Sequence, residues 1–219
     1  MAIYAAGYLS PIRKKLGNAV GRKWRTLDVL AVYQPFVSNP NTTAQQLVRT
    51  RFGAAAHLAM CLSGAVEQGF LSICKGTKVP QRSMFIKKNW DNIHADTPGT
   101  PTIDYTEIIV ADGSLQTPDV VGNASFADPL AVDITLTAYS GAASPVIDAL
   151  DKVIAVVYDT EAQMCYMKDG VRGDNGITVT VNSYSNGHRV HVWAFAVGAG
   201  TLDEGKVSPS VYLGSGVIS

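Results

Sequence analysis

Apolar and small residues recur at Val48, Phe52, Ala55, Ala59, Leu62, Val66 and Phe70. Steps of three and four keep all seven on one side of a helix. The spacing predicts one long helix over 42–71. Its start is marked by Pro40-Asn41-Thr42-Thr43, and Gln45, three residues after Thr42, suits a capping box. Gly53, Ala54, Ala55, Ala56, Ala59, Gly64 and Ala65 make this helix thin, so another backbone can approach it closely. That is the composition of a packing spine, not of a platform for chemistry. A second, shorter helix is expected over 83–94, burying Phe85, Ile86, Trp90 and Ile93.

Ahead of the helix the period changes to two. Tyr4 to Ile12 reads as an extended arm, and the stretches 17–24 and 27–33 read as a β-hairpin turning near Arg25-Thr26. Beyond Asp96-Thr97-Pro98-Gly99-Thr100-Pro101, the strongest linker signal in the chain, the pattern becomes strands alone. Strands are expected over 103–111, 132–138, 153–158, 164–167, 177–181, 189–197 and 211–213, with Ser144 to Leu150 as a helical turn between two of them. Val132, Ile134 and Leu136 alternate with Asp133, Thr135 and Thr137, which suits a strand with one buried face. Val153 to Tyr158 is continuously apolar, as a central strand requires. The expected fold class is therefore α+β. An N-terminal β-hairpin and long-helix module spans 1–100, and an immunoglobulin- or fibronectin III-like antiparallel β-sandwich spans 101–219.

Charge sharpens this division. The chain of 219 residues has no net charge, and only 16% of its residues are charged, against roughly 25% in ordinary soluble domains. Up to Trp90 the only acids are Asp28 and Glu67, against thirteen Lys and Arg; from Asp91 onward the balance reverses, with sixteen acids against five basic residues. Such segregation points to an interaction surface, met either by nucleic acid or by the acidic half of another copy. A contact between unlike halves of two copies is head-to-tail and generates rings or filaments when repeated.

Catalytic and metal patterns are absent. Gly17 and Gly21 lack the spacing of a phosphate loop, and no Gly-x-Ser-x-Gly, Cys-x-x-Cys or His-Glu-x-x-His motif occurs. His188 and His191, three apart on an expected strand, face opposite sides. His57 reads as a packed or rim histidine. Asp169, Asp174 and Asn175 read as turn formers, and Asp148, Asp151, Asp159 and Glu161 as solvated loop and edge carboxylates. Cys61, Cys74 and Cys165 are odd in number and are expected as reduced thiols. No cofactor is expected. No run approaches 18 apolar residues, so no membrane span is expected. Arg13-Lys14-Lys15 follows the apolar start, the reverse of a secretory signal, so no export signal is expected.

The candidates for function are Arg13, Lys14, Lys15, Arg22, Lys23, Trp24, Arg25, Arg49 and Arg51, as contacts to another subunit or to phosphates. A solvated basic face is the plain alternative.

Gly17-Asn18-Ala19-Val20-Gly21, then Trp24-Arg25 and Asp28-Val29, resembles the opening of an uncharacterised family common in Bacteroidota and their phages. Three further segments are similar to it: the Thr-x-x-Gln helix start leading to Arg51-Phe52, Ile103-Asp104-Tyr105, and Ser208 to Tyr212. Its members carry Gly after the Trp-Arg pair, where Thr26 stands here. The resemblance implies a hairpin-and-helix module ahead of a fibronectin-like sandwich; it brings no established activity or catalytic residues to carry over. The resulting expectation is a non-enzymatic structural protein that assembles with copies of itself and with other particle proteins. Its setting would be a phage virion (head, connector or tail) assembled in the host cytoplasm. The alternatives are a nucleic-acid-binding module using the basic half, or a bacterial surface adhesin.

Overall fold

The computed structural model describes residues 2–4, 14–24, 27–36, 40–127, 129–199 and 204–218. The chain divides into two compact units, 1–42 and 43–219. The expected boundary near residue 100 lies inside the second.

In the first unit, β1 (Ala2–Tyr4), β2 (Lys14–Leu16), β3 (Ala19–Trp24) and β4 (Leu27–Val32) form an antiparallel sheet in the order β1-β4-β3-β2. The predicted single strand over 17–24 is instead a turn at Gly17-Asn18 followed by β3. Gly17 takes φ +57°, the left-handed conformation that only glycine adopts without steric cost. The expected turn at Arg25-Thr26, and the arm residues 5–12, lie outside the described residues.

The second unit opens with α1 (Thr43–Cys61), α2 (Ser63–Gly69), α3 (Leu71–Cys74) and α4 (Gln81–Lys88). The single helix expected over 42–71 is bent at Leu62 and Phe70, yet i to i−4 hydrogen bonds persist through Leu62, Val66, Phe70 and Cys74. These residues and Leu58 form a ridge in steps of four, and all are buried. Gly69 permits the bend to press on the loop beyond it. A Cβ there would stand 2.5 Å from the Val110 carbonyl and 2.8 Å from the Ala111 Cβ. Val48 and Phe52, on the same predicted stripe, are 56% and 53% exposed, because the core begins only at Ala55.

The expected second helix ends at Lys88. A short 3₁₀ turn at Trp90–Asn92 then leads into β5 (Ile93–Thr97) and β6 (Thr100–Ile103). These two strands form a hairpin, so the Pro98-Gly99 linker signal is its turn. The strand predicted over 103–111 stops at Ile103. Beyond it the backbone is bonded to side chains and a helix end instead of to a ladder. Asn89 accepts from the Ile109 amide (2.7 Å) and donates to the Ile109 carbonyl (2.8 Å); Ser210 accepts from the Val110 amide (3.0 Å); Gly69 accepts from the Asp112 amide (3.1 Å). Ile108, Val110 and Ala111 are buried all the same.

β7 (Ala131–Thr135) pairs with β10 (Gly176–Thr180), while β8 (Lys152–Asp159), β9 (Met164–Val171), β11 (Arg189–Val197) and β12 (Val211–Val217) form a sheet in the order β12-β11-β8-β9. The helical turn expected over 144–150 is absent; Ser144 and Ile147 bridge each other there.

This four-stranded sheet is a middle layer. Ile154, Val156, Tyr158, Trp193 and Phe195 point into a core shared with the helices. Val153, Ala155, Val157, Val190, Val192 and Ala194 point into a second core shared with Val132, Ile134, Ile177 and Val179 of β7 and β10. The fold is thus mixed α+β with several antiparallel sheets and few helices, and helices cover the face that a plain two-sheet arrangement would leave to solvent. Among the described residues no helix is long and apolar enough to cross a membrane.

Two of the carboxylates read as solvated are buried. Asp151 faces Arg172 at 3.3 Å, both enclosed, and Arg172 also donates to the Gln116 (2.6 Å) and Thr117 (3.0 Å) carbonyls. Asp159 accepts from the Glu161 and Ala162 amides, both at 2.9 Å, and lies 2.8 Å from His188 Nδ1. Burial acts to raise its carboxyl, but hydrogen bonds from Ser185, Ala162, His188 and Glu161 outweigh burial and hold it below the ordinary range. Both groups organise turns.

Candidate functional site

The predicted basic cluster lies on the first unit, and the strand period divides it. Lys15 stands opposite Val20 and Arg22 opposite Val29, while Lys14 stands opposite Gly21 and Lys23 opposite Asp28. Directly opposed residues share a face and neighbours along a strand do not. Lys15 and Arg22 therefore occupy one face, Lys14 and Lys23 the other, and all four are exposed. Arg13 and Arg25 lie outside the described residues. Trp24 closes β3 opposite Leu27, and its side chain is likewise outside them.

Exposed apolar groups accompany both sets of cations: Tyr33 lies beside Lys15, and Val32, opposite Ala19, is on the face of Lys14 and Lys23. Lys15 Nζ sits 3.8 Å from the centre of the Tyr33 ring, a cation–π contact that leaves the ammonium in water. Val20, Arg22, Ala31, Val32, Tyr33 and Gln34 line an open cleft of about 560 Å³. Val32 is 77% exposed and Phe36 94% exposed. No described residue of this unit belongs to either core. Cations interspersed with exposed aliphatic and aromatic groups suit an acidic surface that also offers apolar contact.

The two helical arginines differ from one another. Arg49 is exposed on α1. Arg51 is half-buried and committed within its own unit. Its guanidinium lies 4.1 Å from the centre of the Trp90 ring, donates to the Trp90 carbonyl and meets Asp91 at 3.3 Å. Lys88 is similarly held by Asp112 at 2.6 Å, and Arg82 donates to the Ala56 carbonyl at 2.7 Å. Three cations of the basic half therefore brace the second unit.

A second concavity was not legible in the sequence. Gly53, Ala54, His57 and Leu58 of α1 face Pro101 and Ile103 of β6, together with Tyr105, Tyr158, Thr160 and Gln163, around about 300 Å³. The Tyr105 and Tyr158 rings are 6.0 Å apart, and Tyr105 stacks on His191 at 4.3 Å. Cys61 lies behind, its Sγ 3.7 Å from His57 Nδ1 and hydrogen-bonded to Tyr158. No described lining residue is Lys, Arg, Asp or Glu. Burial raises the Cys61 thiol and the Tyr158 hydroxyl and pushes the Cys165 thiol up to about 12, while burial and then the Arg189 charge push His191 down to about 4. These groups are accordingly neutral near pH 7, which argues against a thiolate nucleophile here. All three cysteines are free, and no group of three or more His, Cys, Asp or Glu among the described residues could hold a metal. His188 and His191 part as expected, one to Asp159 and the other into the Tyr105 stack.

Taken together, the chain is a mixed α+β protein with a basic front sheet and a neutral aromatic cleft. Residues 11–214 match the model of a family of unknown function, DUF6266, and the chain belongs to that family. No curated protein matches it.

Proposed function

We propose that the protein is a structural component, not a catalyst, which associates with copies of itself through its basic front portion and the acidic surface of a neighbour. The observation that carries this reading is the front sheet itself. It presents Lys14, Lys15, Arg22 and Lys23 beside exposed Leu16, Val32 and Phe36, and contributes no described residue to either core. A sheet of about 40 residues lacks the volume to bury a sufficient core and gains stability from a partner. The opposed charges of the two portions supply that partner within the same sequence. In this reading the protein is a phage particle component of head, connector or tail, and the two sheets packed through the second core are an immunoglobulin- or fibronectin-like sandwich carrying helices on its outer side.

Sedimentation velocity tests the assembly. At low salt and tens of micromolar the protein should form species larger than a monomer, and these should dissociate as salt rises. A sharp monomer at low salt overturns the proposal. The same four exposed cations favour a second reading, nucleic-acid binding. That reading requires affinity for duplex of any sequence that falls steeply with salt in a filter-binding titration.

A further inference from the structure

The cleft between α1, β6 and β8 is built to accept a ring and to refuse a charge. Its lining includes Leu58, Ile103, Tyr105 and Tyr158, and no described lining residue is Lys, Arg, Asp or Glu. An ionic group entering would lose hydration with no counter-ion to replace it. An aromatic ring would gain contact with the half-buried Tyr105 and Ile103. A volume of about 300 Å³ admits one side chain of that size.

The protein displays such a ring. Phe36, at 94% exposure, is the most exposed large hydrophobic residue described, and Pro35 immediately before it restrains the backbone that presents it. A fully solvated phenylalanine four residues beyond the last strand of a basic sheet is the form that an interface anchor takes before it is buried. Charge agrees with this pairing. Asp104 lies between the lining residues Ile103 and Tyr105, and Glu161 lies next to lining residue Thr160; both carboxylates are exposed. They are opposite in sign to Lys14, Lys15, Arg22 and Lys23, which the front unit exposes.

We infer that the cleft is the socket for Phe36 of a second copy, with Asp104 and Glu161 meeting the incoming cations. This inference rests on the assembly reading and specifies which surfaces meet. Because knob and socket are different surfaces, the contact is heterologous and each copy offers one of each.

The test uses three full-length proteins: wild type, Phe36→Ala and Gly53→Trp. A Cβ at Gly53 meets nothing within 4 Å, so the indole can block the cleft mouth from outside the core. His57→Trp is the second block should thermal unfolding show that Gly53→Trp is not folded. At low salt each variant alone should lose about tenfold or more in association constant relative to wild type. An equimolar mixture of the two should form dimers and stop there, because one protein retains only the socket and the other only the knob. A Phe36→Ala protein that assembles like an assembling wild type overturns the inference and leaves the assembly reading standing, and so does a mixture that stays monomeric. A monomeric wild type overturns both.

Discussion

Two four-stranded antiparallel sheets occur among the described residues, and their burial differs sharply. In β8 every residue from Val153 to Asp159 is buried, whereas in β4 only Val29 is. Strand-forming residues do not explain the contrast, since β4 is Leu-Asp-Val-Leu-Ala-Val and β8 is equally rich in Val, Ile and Ala. The cause is layering. The sheet containing β8 has helices on one face and β7 and β10 on the other, so both sets of alternating side chains enter a core. No described residue of the front sheet belongs to either, and its strands carry Arg22, Lys23 and Asp28 where β8 carries Val and Ala. Half-buried and fully buried sheets thus differ in composition because they differ in the number of neighbours.

The contrast can be broken at several points. The largest expected effect is on isolated fragments. Residues 1–42 alone should show no cooperative thermal transition by circular dichroism, while 43–219 alone should keep one. A cooperative melt of the short fragment would mean that the front sheet carries a sufficient core after all.

Trp193→Ala, in the fully covered sheet, should cost about 3–5 kcal/mol in denaturant unfolding, as removal of a buried aromatic does. Its side chain is wholly enclosed beside Tyr212 and His191. Gly69→Ala should cost about 1–3 kcal/mol by the same measurement, because the added methyl enters space held by Val110 and Ala111. A neutral result would show that the bent helix can withdraw from that loop.

His191 gives the second unit a pH signature. Its folded value of about 4 lies below the ordinary 6.5. Between these values the unfolded chain binds a proton that the folded chain does not, so stability falls as pH drops from 6.5 towards 4. The contribution is fully present above 6.5. His191→Gln should flatten that part of the stability profile, and an unchanged slope would exclude His191 as its source. The smallest effect belongs to the front sheet, where Val32→Ala at a largely exposed site should stay within about 0.5 kcal/mol of wild type.

Hydrophobic period by itself determined where most regular elements lie. Alternation in β7 and β10, the unbroken apolar run of β8 and the stripe through Leu62, Val66 and Phe70 each record a local geometry, 2.0 or 3.6 residues per repeat, that neighbouring residues specify. The same period divides the basic cluster. Lys14, Lys15, Arg22 and Lys23 were legible as charges, but alternation assigns them to two faces. Only the tertiary structure decided that Ile108, Val110 and Ala111 are buried without being in a strand, since the backbone of Ile109 and Val110 is bonded to the side chains of Asn89 and Ser210. It likewise decided that Asp151 and Asp159 are enclosed in turns, where sequence suggested solvated carboxylates. The aromatic cleft was beyond any local pattern. It gathers residues from Gly53 to Gln163 on separate elements, and a surface made by distant segments acquires its chemistry only when packing brings them together.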